Sequence, residues 1–427
     1  MGKSLIIVGA GEFGLSLALE LSRKNGEHEY SSITILDREM PPVFGGASVD
    51  ISRIMRPDYA DPKYTAMGME ALKEWQTSTL YRDHFYQSEI IMMAHKESNF
   101  RDRSIANLNK LGLPTYTVDS SQDARAKYPS YDGILEGSRG YAHENAGWVN
   151  AEGTVRSTVG EILKLGKAQF VVGDDGTMVE LIKEGNRIAG VKTKSSKIHL
   201  ADTVVMATGS WTSSLVDFED RFVATGQPVG FMQLSPEETR KYSKNPVYFN
   251  ISTGVFVFPP TPDGVLKCAR HGFGYTRTLP TAWGKGTIST APQTPIENEL
   301  PQDAIQALRK GIRESYGDAI SKRPFYKSRL CWYNDTPDGD FVFSYHPHYK
   351  NLFLCTGGCG HAFKFFPVLG RYSAGCLLKT LDKEWLDKFA LKDQKITPDT
   401  VIDGGRGIPW KTGPGRQELK NSRLSKL

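Results

Sequence analysis

The segment SLIIVGAGEFGLSLALELSRK, residues 4–24, constrains this chain more than any other. Leu5 to Val8 form an apolar run of buried-strand type, and the chain then turns through Gly9, Gly11 and Gly14. A helix follows, with apolar residues at Leu15, Ala18, Leu19 and Leu21. SSITILDRE reads as a second strand ending at Asp37. Together they predict a βαβ unit with a G-x-G-x-x-G turn between strand and helix. The glycines let backbone approach a pyrophosphate, whose charge meets the helix N-terminus. An acid closing the second strand suits a ribose hydroxyl and disfavours a 2′-phosphate and hence NADP, while NAD and FAD stay open.

A later segment separates these two. GTMVELIKEGNRIAGVKT reads as two strands joined at EGNR, and KIHLADTVVMATGSWTSSL as a strand from Thr203 to Met206 that ends in Ala207-Thr208-Gly209. A β-meander returning to the first sheet at such a turn is a habit of FAD-binding folds. The first sheet is thus completed nearly 200 residues downstream, and the domains must interleave. We expect an α/β protein: a discontinuous FAD-binding Rossmann-type domain over 1–60, 146–219 and 326–385, and an α+β substrate domain on a mixed sheet over 61–145 and 220–325. A C-terminal extension, 386–427, completes it.

Composition narrows the partners. The 427 residues are 39% apolar and 24% charged, as in globular proteins, and suffice for two to three units with a large core. The net charge of +5 is spread along the chain, which argues against nucleic acid and is compatible with a small anionic substrate. No run of 18 apolar residues occurs, so no membrane span is expected, and the N-terminus enters a strand without a signal peptide. Five cysteines without a signal peptide argue against a disulfide framework, and Cys355 with Cys359 lack a second pair at zinc spacing, so no metal is expected. The chain ends Ser425-Lys426-Leu427, a peroxisomal address read by an import receptor, on a Pro/Gly-rich tail expected to be flexible.

GAGEFG, ASVDISRIMR, AGWVNAEG, NISTGVFVFPP with VLKCARHGFGYT, LCWYNDTPD and GGCGHAFKFFPVLG together give the chain a resemblance, from residue 4 to about 380, to the monomeric sarcosine oxidase family of flavoprotein amine oxidases. It is most similar to the fungal branch holding fructosyl amino acid (Amadori) oxidases and saccharopine or pipecolate oxidases. That resemblance implies a monomer that oxidises a C–N bond: an amine passes hydride to FAD, the imine hydrolyses, and O₂ reoxidises the cofactor with release of H₂O₂. It implies a thioether from Cys331 to the flavin ring, and a cation, Lys267, beside the cofactor to assist O₂ reduction. Arg53, Arg56 and Lys364 are implied as substrate-carboxylate anchors, with Lys364 also on the cofactor side. Arg suits a bidentate hold on a carboxylate.

Further cofactor contacts are implied at Phe13, Arg38, Ser48, Met178 and Trp211. The glycine-rich turn Gly357, Gly358 and Gly360 is expected to run into a helix whose N-terminus faces the reduced flavin. The chain departs from the sugar-oxidising members at two places. Arg53 stands where they commonly have lysine, and His271 where a glutamate bonds the sugar. A secondary amino acid of the saccharopine, pipecolate or N-methyl type is therefore the expected substrate, with fructosyl amino acids as the main alternative. A flavin amine oxidase tailoring a secondary metabolite and a flavin dehydrogenase with a protein acceptor stay open.

Overall fold

β1 (Lys3–Val8) is buried from Leu5 onward, as its unbroken apolar run requires of a parallel strand covered on both faces. Helix α1 (Glu12–Arg23) follows, then β2 (Tyr30–Leu36), which pairs parallel to β1 from Ser4↔Ser32 to Val8↔Leu36. The computed structural model describes residues 2–24, 26–96, 98–284, 286–397, 415–419 and 424–426. Among these, one six-stranded sheet has the order Val342–Tyr345, Leu352–Thr356, Thr203–Met206, β1, β2, Ala168–Val171, parallel except at its first strand. The strand Thr203–Met206 reaches it through a three-stranded meander, Met178–Glu184, Arg187–Thr193 and Ile198–Leu200. The strands on β1's two flanks run off in opposite directions, so the carboxyl end of β1 is a switch point, where such sheets bind ligands.

Helix α1 crosses the helix Phe366–Leu377 closely. Ser16 Oγ donates to the Phe366 carbonyl at 2.7 Å and accepts from the Gly370 N–H at 2.8 Å. A Cβ on Gly370 would stand 2.1 Å from the Ser16 carbonyl oxygen, so the crossing requires glycine there.

The second sheet joins eleven described strands. β3 (Arg53–Met55) enters it from the N-terminal segment, pairing with Ser138–Val149. Val223–Gln233 pairs antiparallel with Val265–Arg270 and with Lys327–Asp335. The cysteine-bearing strand thus hydrogen-bonds into the larger sheet, although its position in the chain grouped it with the FAD-binding unit. Its largely buried pattern fits either sheet, and only the partner strand decides.

Two further differences concern the C-terminal half. The helix after the glycine-rich turn starts at Phe366, after one 3₁₀ turn at Phe363–Phe365, because Pro367 favours the first helical turn. Within the tail that composition predicts to be flexible, Gln417–Glu418 pairs with Tyr275–Thr276 and the backbone of Leu424–Lys426 with Glu299–Pro301, while 398–414 and 420–423 lie outside the described residues. Open strand edges captured these short segments, which composition alone does not reveal. Leu427 of the address lies outside the described residues. No helix among them is long and apolar enough to cross a membrane, and they contain no cluster of three metal-ligating side chains.

Candidate active site

Two cavities meet at the carboxyl end of β1. The larger, about 950 Å³, is lined by Gly9, Gly11, Phe13, Asp37, Arg38, Ser48, Met178, Ala207, Thr208, Gly209, Trp211, Gly358 and Gly360, all anticipated from the sequence. The smaller, about 70 Å³, is lined by Arg53, Arg56, Lys267, His271, Cys331 and Lys364, and by apolar Phe249, Ile251 and Phe256. Arg53, Tyr333, Gly360 and Phe363 belong to both walls. Gly14 lines neither: it packs beneath the turn, where a Cβ would lie 1.9 Å from the Gly9 carbonyl oxygen. Lys364, anticipated on both sides, faces only the smaller space.

The larger cavity has a glycine-rich turn in its wall. Gly9 has φ +104°, and a Cβ there would meet the Ala207 oxygen at 2.4 Å. Asp37 accepts from the Ala10 and Arg38 N–H groups, both at 2.7 Å, and so braces the turn. Burial pushes its carboxyl up, and those two donors oppose the rise. Ser48 Oγ accepts from the Glu12 N–H at 2.8 Å. Arg38 lies 4.6 Å over the Trp211 ring. These features test whether FAD fits. The volume lies at the upper end of ordinary ligand pockets, about 300–1,000 Å³. The buried indole N–H groups of Trp211 and Trp332, both on the wall, have no hydrogen-bond partner among the described residues. A glycine cradle, a helix N-terminus, a braced carboxylate and uncommitted donors suit a dinucleotide. The cavity would hold FAD, which supplies hydride acceptance and reoxidation by O₂.

The smaller pocket is organised by a residue that sequence reasoning missed. Asp50 is buried, and its Oδ2 meets Lys267 Nζ at 2.7 Å, Arg329 Nη2 at 3.0 Å and Arg53 Nη1, while Oδ1 accepts from the Ile51 N–H at 2.8 Å. Burial alone would raise its pKa, but the three cations outweigh that and hold the carboxyl far below the usual range. Lys267 also donates to the Ser52 carbonyl at 2.6 Å. Burial pushes its ammonium down to about 7, with Asp50 resisting and Arg53 and Arg329 assisting. Arg53 donates further to the Ala47 carbonyl at 2.6 Å and lies 3.6 Å from Cys331 Sγ. Arg53 thus shares the single Asp50 carboxylate with Lys267 and Arg329 while still lining the pocket. Arg329 donates to the Val49 carbonyl at 2.7 Å. It sits two residues before Cys331 on one strand, a spacing that puts both on one face and could have flagged it.

Across the pocket, Lys364 Nζ donates to the Tyr59 hydroxyl at 3.0 Å and to the His361 carbonyl at 2.8 Å. Tyr59 OH lies 2.9 Å from His361 Nδ1, and His361 Nε2 lies 3.0 Å from the Gly339 carbonyl. A carbonyl only accepts, so this His361 carries its proton on Nε2 and accepts from Tyr59 at Nδ1. The relay fixes the direction of the Lys364 ammonium. Arg56 is buried, donates to the Asp58 carbonyl and lies 4.9 Å over the Tyr59 ring. Asp58 accepts from Tyr141 OH at 2.7 Å and pairs with His143 at 2.8 Å. Burial would raise its carboxyl, but the His143 pair lowers it to about 2. His271 lies 5.3 Å from the Tyr333 ring.

Glu12 joins Asp37, Glu39 and Asp174 among the acids lining the larger cavity. Glu12, the first residue of α1, packs against Gly358, and burial pushes its carboxyl up to about 7 against the pull of Arg53 and Lys364.

The chain is 29% identical over 413 residues to L-saccharopine oxidase of Schizosaccharomyces pombe, covering 92% of this chain and 94% of that one. It is 25% identical over 382 residues to human peroxisomal sarcosine oxidase, covering 86% and 90%. Among solved structures, fructosyl amine:oxygen oxidoreductase (Amadoriase I) of Aspergillus fumigatus superposes with a TM-score of 0.84 at 25% identity, covering 99% of this chain and 97% of that one. The glycine cradle, the braced Asp37 and the returning Ala207-Thr208-Gly209 turn all fall within residues 4–375, which match the model of the FAD-dependent oxidoreductases, and the chain belongs to that family.

Proposed function

We propose that the protein is an FAD-dependent oxidase that oxidises a C–N bond of a secondary amino acid to the imine by taking hydride from its carbon, with O₂ as final acceptor, and that Cys331 joins the cofactor covalently. The observation that carries this reading is the small pocket, in which Arg56, Lys364 and Lys267 converge beside the cofactor cavity and close to Cys331. Arg56 and Lys364 would hold the substrate carboxylate, an ion pair desolvated by Phe249 and Phe256. With the carboxylate fixed, the carbon next to it is held in one place, and the apolar walls exclude water from the reacting bond. Lys267, held from behind by Asp50 and Ser52, offers positive charge where negative charge develops on oxygen. Hydrolysis of the imine product then gives the aldehyde and amine, with H₂O₂ as co-product.

Kinship to an L-saccharopine oxidase and to sarcosine oxidases supports a secondary amino acid. The pocket volume of about 70 Å³ supports a compact one. At roughly 10–15 Å³ for each enclosed water, it takes about five to seven heavy atoms, an amino acid head group. A long substrate would have to move apolar walls. Fructosyl amino acids remain the second reading because solved Amadoriase structures share the whole fold. An H₂O₂-coupled screen of sarcosine, N-methyl amino acids, pipecolate, saccharopine and fructosyl-valine tests the assignment. Peroxide from the first three and little from fructosyl-valine is expected, and peroxide from the sugar adduct alone would replace this reading with the second.

The tether is tested separately. Acid-precipitated protein is expected to stay yellow, and Cys331→Ala to release its flavin into the supernatant. The Ser425-Lys426-Leu427 terminus supports import into peroxisomes, where H₂O₂ is removed. An N-terminal fluorescent fusion is expected there, and deletion of the last three residues to leave it cytosolic.

A further inference from the structure

We propose that Asp50 is a positioning residue that keeps Lys267 charged and aimed into the small pocket, and that Arg329 opposes it by drawing on the same carboxylate oxygen. The inference rests on the reading that Lys267 assists O₂ reduction, and extends it to what governs that lysine. Three cations converge on Asp50 Oδ2, namely Lys267 at 2.7 Å, Arg329 at 3.0 Å and Arg53. Two of the lysine's three protons go to Asp50 and the Ser52 carbonyl, leaving the third for the pocket. If Lys267 gives up its charge, Asp50 still has two guanidinium partners. Nothing in the cluster therefore forces the lysine to stay protonated, unlike an isolated buried pair, where the carboxylate would be stranded. Burial already brings the Lys267 ammonium down to about 7, within the working range of an enzyme. Whether it is charged is then decided by how strongly Asp50 favours it over Arg53 and Arg329.

Other titratable groups face the same space. Cys331, Tyr333, His271, Arg56, His361 and Lys364 line the same pocket as the lysine, and Glu12 lines the adjoining cavity. The test must separate Lys267 from all of these, and the opposite signs of two substitutions do so. Removing the carboxylate in Asp50→Asn lowers the lysine's affinity for its proton. Removing a neighbouring positive charge in Arg329→Gln raises it. A merely structural role for either residue would change rates without moving the pH limb in opposite directions.

The holoprotein is reduced anaerobically with dithionite, so that no substrate is needed, and mixed with O₂ across pH 5.5–9.5. The wild-type reoxidation rate is expected to fall as pH rises. The limb should move to lower pH in Asp50→Asn and to higher pH in Arg329→Gln, each by about one unit for a change of roughly 1.4 kcal/mol in differential interaction. A second readout does not use turnover: the ¹³Cε resonance of labelled Lys267, assigned by its loss in Lys267→Met, should titrate with the same ordering. Should Asp50→Asn fail to fold, the Arg329→Gln shift and that resonance carry the test. A limb that stays in place in the variants overturns the proposal. A pH-independent wild-type rate, together with undiminished O₂ reactivity in Lys267→Met, removes the oxygen role itself, and the proposal falls with it.

Discussion

The two cavities are built on opposite principles. The larger has main chain in its wall: glycines that tolerate no Cβ, N–H groups braced by Asp37 and Ser48, and a helix N-terminus. The smaller is a cluster of long charged side chains from segments near residues 50–59, 267–271, 329–333 and 361–364. A backbone site depends on a few local torsions, so a single substitution can close it entirely. A side-chain site depends on strand register, here Lys267 across from Phe231 and Cys331 across from Gln227 on one central strand. It degrades in steps, one contact at a time.

Substitutions can break or sharpen this contrast. The largest effect is expected from Gly14→Ala, whose Cβ would need the space of the Gly9 carbonyl: the protein should purify without flavin. Gly160→Ala is the control. It lies in the helix Ala151–Leu165 with nothing within 4 Å of the new methyl, and should retain flavin with a stability gain of up to about 1 kcal/mol. Partial flavin in Gly14→Ala would show that the backbone site also yields gradually.

Lys267→Met comes next. By analogy with loss of one preorganised donor, O₂ reoxidation should slow by about 10²–10³ while anaerobic reduction by substrate stays within a few-fold. Equal slowing in both halves would reassign the lysine to substrate binding. Arg56→Met should lower kcat/KM on amino acid substrates by about 1.5–3 kcal/mol, roughly tenfold to a hundredfold, because one charge-assisted contact is lost. Unchanged kcat/KM would move the anchor elsewhere.

The smallest effect tests Glu12, one of the acids in the larger cavity. The Glu12 pKa is raised on folding from 4.5 to about 7, so the folded protein holds this proton more tightly than the unfolded chain. Its contribution favours folding below pH 4.5 and is lost as pH rises toward 7. Cofactor-free protein should therefore lose part of its thermal stability over that window, and Glu12→Gln should lose less. Identical pH dependence in both would mean that Glu12 is ionised throughout.

The same contrast explains what could be read in the sequence. β1, α1, β2, the meander and the Ala207-Thr208-Gly209 turn were legible because glycine spacing and apolar runs are local. Cys331, Lys267 and the anchor cations were named only through resemblance, since nothing near each residue distinguishes it from an ordinary buried thiol or a surface base. Asp50 escaped notice because an acid three residues before an arginine looks like a local surface pair, whereas its main partners lie more than 200 residues away. The pairing of Arg53 with Asp50 is hidden for the same reason: it becomes visible only once the chain is folded. The membership of the cysteine strand in the larger sheet, and the pairing of residues 417–418, depend on which edge lies nearby.

That strand membership has a mechanical consequence. Lys327–Asp335 is paired along its length with Val223–Gln233 in the eleven-stranded sheet, whereas the glycine cradle hangs from the six-stranded one. If Cys331 carries the proposed thioether, the cofactor adds a rivet between two sheets already joined by packing, by chain crossings and by the Asn334 Nδ2 donation to Thr356 Oγ1 at 2.8 Å. Either sheet alone could loosen in the empty protein, as separate cooperative units do. A cofactor riveted in that way would let neither sheet open without dragging the other, and its attachment would also be the closing step of assembly.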